Sequence, residues 1–152
     1  MIQPNQIPNG LAQIIHMFGD CNASDFEAKN IVSFDLPYPL FYNGKLVLRS
    51  RCHRLAVENF LKAFNLLLDS GLSDQVRSYG GIYQYRAKRG GTEPSVHSWG
   101  IAVDLEPVKF PLRSLKRFSP EVVNALKLAG FSYGGDFKNR RDPQHFQMAI
   151  GY

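Results

Sequence analysis

Two short segments of the chain hold the side chains best suited to chemistry. One is Ser95-Val96-His97-Ser98-Trp99-Gly100-Ile101-Ala102-Val103-Asp104, and the other is Asp142-Pro143-Gln144-His145-Phe146. Only four histidines occur in the chain, and His97 and His145 stand in this company. Two imidazoles and a carboxylate, from His97, His145 and Asp104, make a three-ligand set suited to zinc, with the fourth tetrahedral position left open. Two neutral nitrogens and one carboxylate leave residual positive charge on such an ion, which lowers the pKa of a bound water toward about 7. Asp142 lies three residues before His145, and Pro143 restricts the backbone between them. A carboxylate there can stand beside the water without ligating the metal, take its proton and deliver it to a departing amine. His97 and Asp104 alone would also suit a surface histidine beside an acid. The residues by themselves leave a metal site and a structural pair both open.

The elements that must position these groups are legible from periodicity. His97 falls on a loop, and Asp104 on a strand over 101–105, where Ile101, Val103 and Leu105 point to one side and Asp104 to the other. Gly100 and Ala102 are small enough to keep the approach to a metal clear. His145 opens a last strand over 145–150. Residues 75–85 predict another strand, with Gly80-Gly81 marking a bulge or a close backbone approach. The spacing of Leu55, Ala56, Phe60, Phe64, Leu67 and Leu68 predicts a helix over 52–69, with Gly71 just past its end. Ser119-Pro120-Glu121 caps a second helix that carries Val122, Val123, Leu126 and Leu128 and stops at Gly130. Upstream, Leu11, Ile14, Ile15 and Phe18 predict a short helix ended by Gly19. Pro37 and Pro39 predict an extended, packed loop, and Tyr42-Asn43-Gly44-Lys45 a hairpin turn. Without a βαβ rhythm, the expected class is α+β: a single domain with a mainly antiparallel sheet flanked by helices.

The chain has 152 residues, of which 44% are hydrophobic and 12% aromatic, a composition that excludes disorder and matches one domain. No apolar run approaches the roughly 20 residues of a membrane span. The first residues show neither a basic nor an apolar signal region, as would also be true of a trimmed chain. Eighteen basic against thirteen acidic residues give a formal charge of +5. That balance suits a polyanionic partner such as an acidic cell-wall polymer, but no nucleic-acid module accompanies it, so no nucleic acid is expected. Cys21 and Cys52 are read as buried thiols without a disulfide framework. His16 is read as structural, and His53 as capping or decorating the long helix. Arg49, Arg51 and Arg54 form a solvated basic face. Lys138-Asn139-Arg140-Arg141 stands beside the presumed cleft, where it could bind a carboxylate or phosphate. Trp99 fits either core or cleft wall.

Ser-x-His-x-x-Gly-x-Ala-x-Asp followed by Asp-x-x-His-Phe resembles the zinc-dependent D-alanyl-D-alanine carboxypeptidase and L-alanyl-D-glutamate endopeptidase family. That family includes phage endolysins and shares its core fold with the Hedgehog signalling domain. The resemblance is strong over residues 75–150. It implies one zinc ion on His97, Asp104 and His145, with Asp142 as general base. An arginine upstream of the first motif would bind substrate and polarise the scissile carbonyl; Arg86 is the best match, ahead of Arg77 and Arg89. Ser95 takes the position of a supporting serine. Gln147 replaces a common glutamate two residues past the last ligand, a change that bears on tuning. The expected organisation is an N-terminal helix and extended packing segment over 1–50 and a catalytic core over 51–152. The implied activity is hydrolysis of peptidoglycan stem peptides by a monomer acting on the cell wall, in the periplasm or outside the cell. A phage enzyme released through a separate pore, a holin, is the favoured setting. The alternative is a non-catalytic, metal-containing module of the same fold that binds the cell wall.

Overall fold

The computed structural model describes residues 1–152. Helix α1 (Gly10–Phe18) buries Ile14 and Phe18 and ends at Gly19, whose φ of 88° breaks the helical path. A short α2 (Phe26–Asn30) leads into β1 (Ile31–Tyr42), which pairs antiparallel with β2 (Lys45–His53) across an Asn43-Gly44 turn. Both turn residues have positive φ, at 48° and 75°, the twist a two-residue hairpin needs. Pro37 and Pro39 sit inside β1 rather than in a loop. They donate no ladder hydrogen bonds, and the register slips between Asp35 and Leu40 to accommodate them.

The long helix α3 (Val57–Asp69) begins five residues later than its apolar spacing predicts. Cys52 and His53 complete β2, and a 3-10 turn over Arg54–Ala56 makes the transition. His53 causes it: its Nδ1 accepts a hydrogen bond from the Leu55 N–H, tightening the chain before the helix can start. At the other end the Leu72 and Gly71 amides return to the carbonyls of Leu67 and Leu68, closing the helix as Gly71 foretold.

A second, four-stranded antiparallel sheet runs β3 (Tyr79–Gly81), β4 (Ala102–Leu105), β6 (His145–Gln147), β5 (Ser132–Tyr133). Helix α4 (Pro120–Leu128) precedes β5, with the Ser119 hydroxyl accepting from the Val122 amide. Strand β3 is much shorter than the 75–85 run of strand-forming residues. Beyond Gly81 the backbone bonds the loop that carries His97: Gln84 N–H to the His97 carbonyl, and Arg86 N–H to Ser98 Oγ. Strand β6 also stops early, because Met148 N–H turns to the Ile101 carbonyl and Ile150 N–H to that of Pro8. One apolar core joins both sheets, with Phe34 stacked 5.9 Å from Phe60 and Phe60 tilted 4.9 Å from Phe131. The architecture is the small α+β, mainly antiparallel one expected. Cys21 and Cys52 are buried free thiols.

Candidate metal centre

His97 lies in a 3-10 turn, Val96–Trp99, capped by the Ser95 hydroxyl, which accepts from the His97 amide at 3.4 Å. Gly100 ends the turn with φ 69° and packs so closely on the His53 backbone that a Cβ there would collide with it. Its smallness therefore serves the contact with β2, not access to a metal. Ala102 is likewise buried in the core. Trp99 is fully buried, its indole N–H donating to the Gly19 carbonyl, and so is core and not cleft wall.

The His97 Nδ1 stands 2.8 Å from the Ile82 carbonyl, a group that can only accept, so Nδ1 carries the proton. The lone pair is left on Nε2, a buried atom with no hydrogen-bond partner. Nε2 points toward Asp104 Oδ2 at 3.4 Å.

Sheet register supplies the rest. Asp104 on β4 pairs with His145 on β6 and with Gly81 on β3. Gly80 lies against the Asp104 side chain, where a Cβ would come within 3.2 Å of its Cβ. His145 Nδ1 is 2.9 Å from Asp104 Oδ1, and Nε2 is 2.8 Å from Gln147 Oε1. The Gln147 amide is oriented by its other end, which donates to the Ala149 carbonyl at 3.1 Å. Its oxygen must then face His145, so His145 Nε2 is the protonated nitrogen and Nδ1 presents a lone pair to Asp104.

Two lone pairs thus converge on one carboxylate from opposite imidazoles. Such an arrangement needs positive charge between the groups, either a proton or a metal ion. The ligand atoms of His97, Asp104 and His145 all lie within 4.8 Å of one another. Ligands about 2 Å from a tetrahedral zinc stand roughly 3.3 Å apart, so small side-chain adjustments close the set. The residues therefore fit a divalent ion, each histidine offering the nitrogen whose neighbour is already anchored. The electrostatics agree. Burial alone would raise the Asp104 carboxyl, but with a proton held between the groups the hydrogen bonding and charge of the His145 and His97 rings outweigh it and hold Asp104 well below its usual range. Burial would lower His145, yet Asp104, then Gln147 and Asp142, outweigh it and raise its pKa.

Asp142 is held by backbone bonds from its own N–H to the Gly134 carbonyl and from the His145 N–H to its carbonyl. Its Oδ1 is buried and unpartnered. Burial pushes its carboxyl up, with Asp104 reinforcing and His145 opposing. Asp104, His145 and Asp142 all line one cavity of about 270 Å³.

Among the arginines, Arg86 lines this cavity and donates Nε–H to Gln84 Oε1 at 3.3 Å. Arg89 lines it too, and its charge reaches Asp142. Arg77 does not line the cavity; it is exposed, its backbone N–H bound to Glu106. Ser95 and Gln147 both line the cavity, and Gln147 orients the His145 ring. Sequence reading missed the Ile82 carbonyl, which no side-chain pattern could reveal. It also missed Tyr152, which lines the cavity from the C-terminus and donates its hydroxyl to the Pro94 carbonyl at 2.6 Å. His16 is exposed rather than structural, whereas His53 is fully buried and caps the turn before α3. Arg49 pairs with Asp35 and Arg51 with Glu27, so that basic face is solvated and internally paired.

Residues 89–148 match a protein family described as D-alanyl-D-alanine carboxypeptidase. The matched span takes in His97, Asp104, Asp142 and His145 and stops short of Arg86. It supports a hydrolase of the peptidase class. No curated protein matches the chain. No helix is long and apolar enough to cross a membrane.

Proposed function

We propose that this chain is a zinc metallopeptidase that hydrolyses peptide bonds in peptidoglycan stem peptides. The observation that carries the reading is the pair of anchored imidazoles, His97 and His145, whose lone pairs meet at Asp104 beside the unpartnered carboxylate of Asp142. His97 Nε2, Asp104 and His145 Nδ1 would hold one zinc ion. When bound, the ion supplies Lewis acidity toward water and the scissile carbonyl.

The chain's own residues do the remaining work. Asp142 Oδ1 takes the proton of the attacking water and hands it to the leaving amine nitrogen, so that one C–N bond breaks as one C–O bond forms. Burial suits Asp142 to this shuttle, because a carboxyl pushed upward holds a transferred proton more readily. Arg86 donates to the carbonyl oxygen of the substrate, and Ser95 keeps the turn of His97 in place. The family match favours the terminal D-alanyl-D-alanine bond over the internal L-alanyl-D-glutamate bond. A positive chain suits an anionic cell wall as the place of action, in the periplasm or outside the cell, with phage lysis as the favoured setting. We take the working form to be a monomer, with residues 1–50 packing on a catalytic core of 51–152. A purely structural metal module would have no use for an unpartnered carboxylate in the cavity, which disfavours the non-catalytic alternative.

Mass spectrometry of purified peptidoglycan before and after digestion tests the reading, with His145→Ala alongside. New stem-peptide termini should appear with the parent protein and vanish with the variant. Full activity in His145→Ala would overturn the site.

A further inference from the structure

A second concavity, of about 360 Å³, opens between β2 and the chain from Tyr79 to Gln84, and shares no lining residue with the cavity at the metal centre. Three tyrosines, Tyr42, Tyr79 and Tyr83, line it. Tyr42 is 45% exposed and meets Tyr79 edge-on at 6.0 Å, while the Tyr79 hydroxyl closes the floor on Ser50 Oγ at 3.4 Å. Arg49 and Arg51 line it too, and each is neutralised by an acid of its own: Asp35 at 2.8 Å and Glu27 at 2.6 Å. Glu27 also holds the Tyr83 hydroxyl at 3.2 Å, and the Arg51 guanidinium lies 5.2 Å over the Tyr83 ring. A guanidinium carries five N–H donors, so pairing with one carboxylate cancels its charge and leaves donors to spare. The groove therefore offers ring faces and hydrogen-bond donors with little net charge. That combination suits a neutral, hydroxyl-rich ring better than an anion. The groove also adjoins the metal centre. Gly80 lines it and packs against the Asp104 side chain, and Gln84 lines it while accepting from Arg86 of the neighbouring cavity at 3.3 Å.

We propose that this groove is a saccharide subsite, in which Tyr42 and Tyr83 stack on neutral sugar rings and Arg49, Arg51 and Gln84 hydrogen-bond their hydroxyl and amide groups. The inference rests on the peptidase reading above and deepens it. The sugar belongs to the glycan from which the stem peptide hangs, and the peptide passes over the Gln84–Arg86 contact into the metal cavity. Sugar in the groove acts away from the reacting bond, so it contributes to substrate binding and not to the chemical step.

Calorimetric titration with a tetramer of N-acetylglucosamine, which carries no peptide, tests the groove directly. The parent protein should bind it, and Tyr42→Ala should weaken binding by about two- to tenfold, the worth of one aromatic contact. Leu46→Ala, exposed on the same hairpin but outside the groove, should bind as the parent does. Should Tyr42→Ala fail to fold, Arg49→Gln serves, because the Arg49 side chain contacts only the exposed Asp35, and it too should weaken binding. No binding of the tetramer, binding unchanged in the groove variants, or a clear preference for an anionic tetramer of galacturonic acid would overturn the subsite. A stem peptide with its disaccharide attached should then be cut with a KM about tenfold below that of the bare peptide, at equal kcat. Tyr42→Ala should bring the two KM values together. Equal KM values in the parent protein would overturn the groove's part in substrate binding. If neither substrate is cut, the peptidase reading falls, and the tetramer titration still decides the groove.

Discussion

Two regions of this molecule bury histidines, and they differ in one respect. At the junction of β2 and α3, both nitrogens of His53 are spent: Nε2 on the Phe18 carbonyl at 3.0 Å, and Nδ1 on the Leu55 amide at 3.1 Å. At the centre of the four-stranded sheet, His97 and His145 each spend one nitrogen on a fixed acceptor and turn the other toward Asp104. Burial is thus no mark of function by itself. A buried imidazole with a full set of partners is a staple, and one with a lone pair left over beside an acid is a ligand in waiting.

The largest effect should come from breaking the ligand side of this contrast. His145→Ala or Asp104→Asn should abolish zinc binding and reduce hydrolysis to background, whereas His53→Gln should leave zinc stoichiometry at one per chain. Chelation should silence the parent protein and added zinc restore it, followed by metal analysis and peptide release in parallel. Asp142→Asn separates proton transfer from metal binding: we expect kcat to fall by about 10²- to 10⁴-fold with zinc still bound. An Asp142→Asn protein as fast as the parent would remove it from the mechanism.

How much of this was legible beforehand follows from where each signal resides. His97, Asp104, Asp142 and His145 are rare residue types in a short motif, and they could be named from the chain alone. Their convergence is a matter of β4–β6 register across 41 positions, and nothing local records which strands pair. The Asn43-Gly44 hairpin and the Ser119 cap were readable because their chemistry is confined to a few neighbouring residues. Residues 75–85 misled because strand propensity reports side-chain shape, whereas the backbone there is committed to the His97 loop. Gly100 misled in the same way: smallness was visible, but the neighbour requiring it, the His53 backbone, was not. The arginines were hardest, because a long flexible side chain can reach a cavity from many positions.

His53 should declare itself through acid stability. Burial first, and Arg54 in addition, lower its pKa from 6.5 to about 4 against the opposing hydrogen bond to Phe18. Above pH 6.5 the ring is neutral in folded and unfolded chains alike, so the stability it permits is fully present. As pH falls toward 4 the unfolded chain takes up a proton that the folded chain refuses, and folding loses on the order of 3 kcal/mol before levelling off. Denaturant titrations between pH 7 and pH 4 should show this loss in the parent, with a clearly shallower slope in His53→Gln. Identical slopes would mean that His53 does not carry the acid sensitivity.

Gln147 gives the smallest and sharpest test, because it joins the two kinds of histidine partner in one side chain. Its oxygen anchors the ligand His145, as Phe18 anchors His53, while its nitrogen satisfies the buried Ala149 carbonyl. Gln147→Leu removes both bonds and should weaken zinc affinity by about 10- to 100-fold, measured by competition with a chromophoric chelator. Gln147→Glu divides the two roles. A carboxylate accepts the His145 Nε2 proton more strongly, so affinity should hold or rise. The same group meets the Ala149 carbonyl with an oxygen in place of a donor, and stability should drop by about 1–3 kcal/mol in thermal denaturation. Affinity and stability falling together in Gln147→Glu would show that the amide acts only as packing, and the tautomer argument for His145 would fall with it.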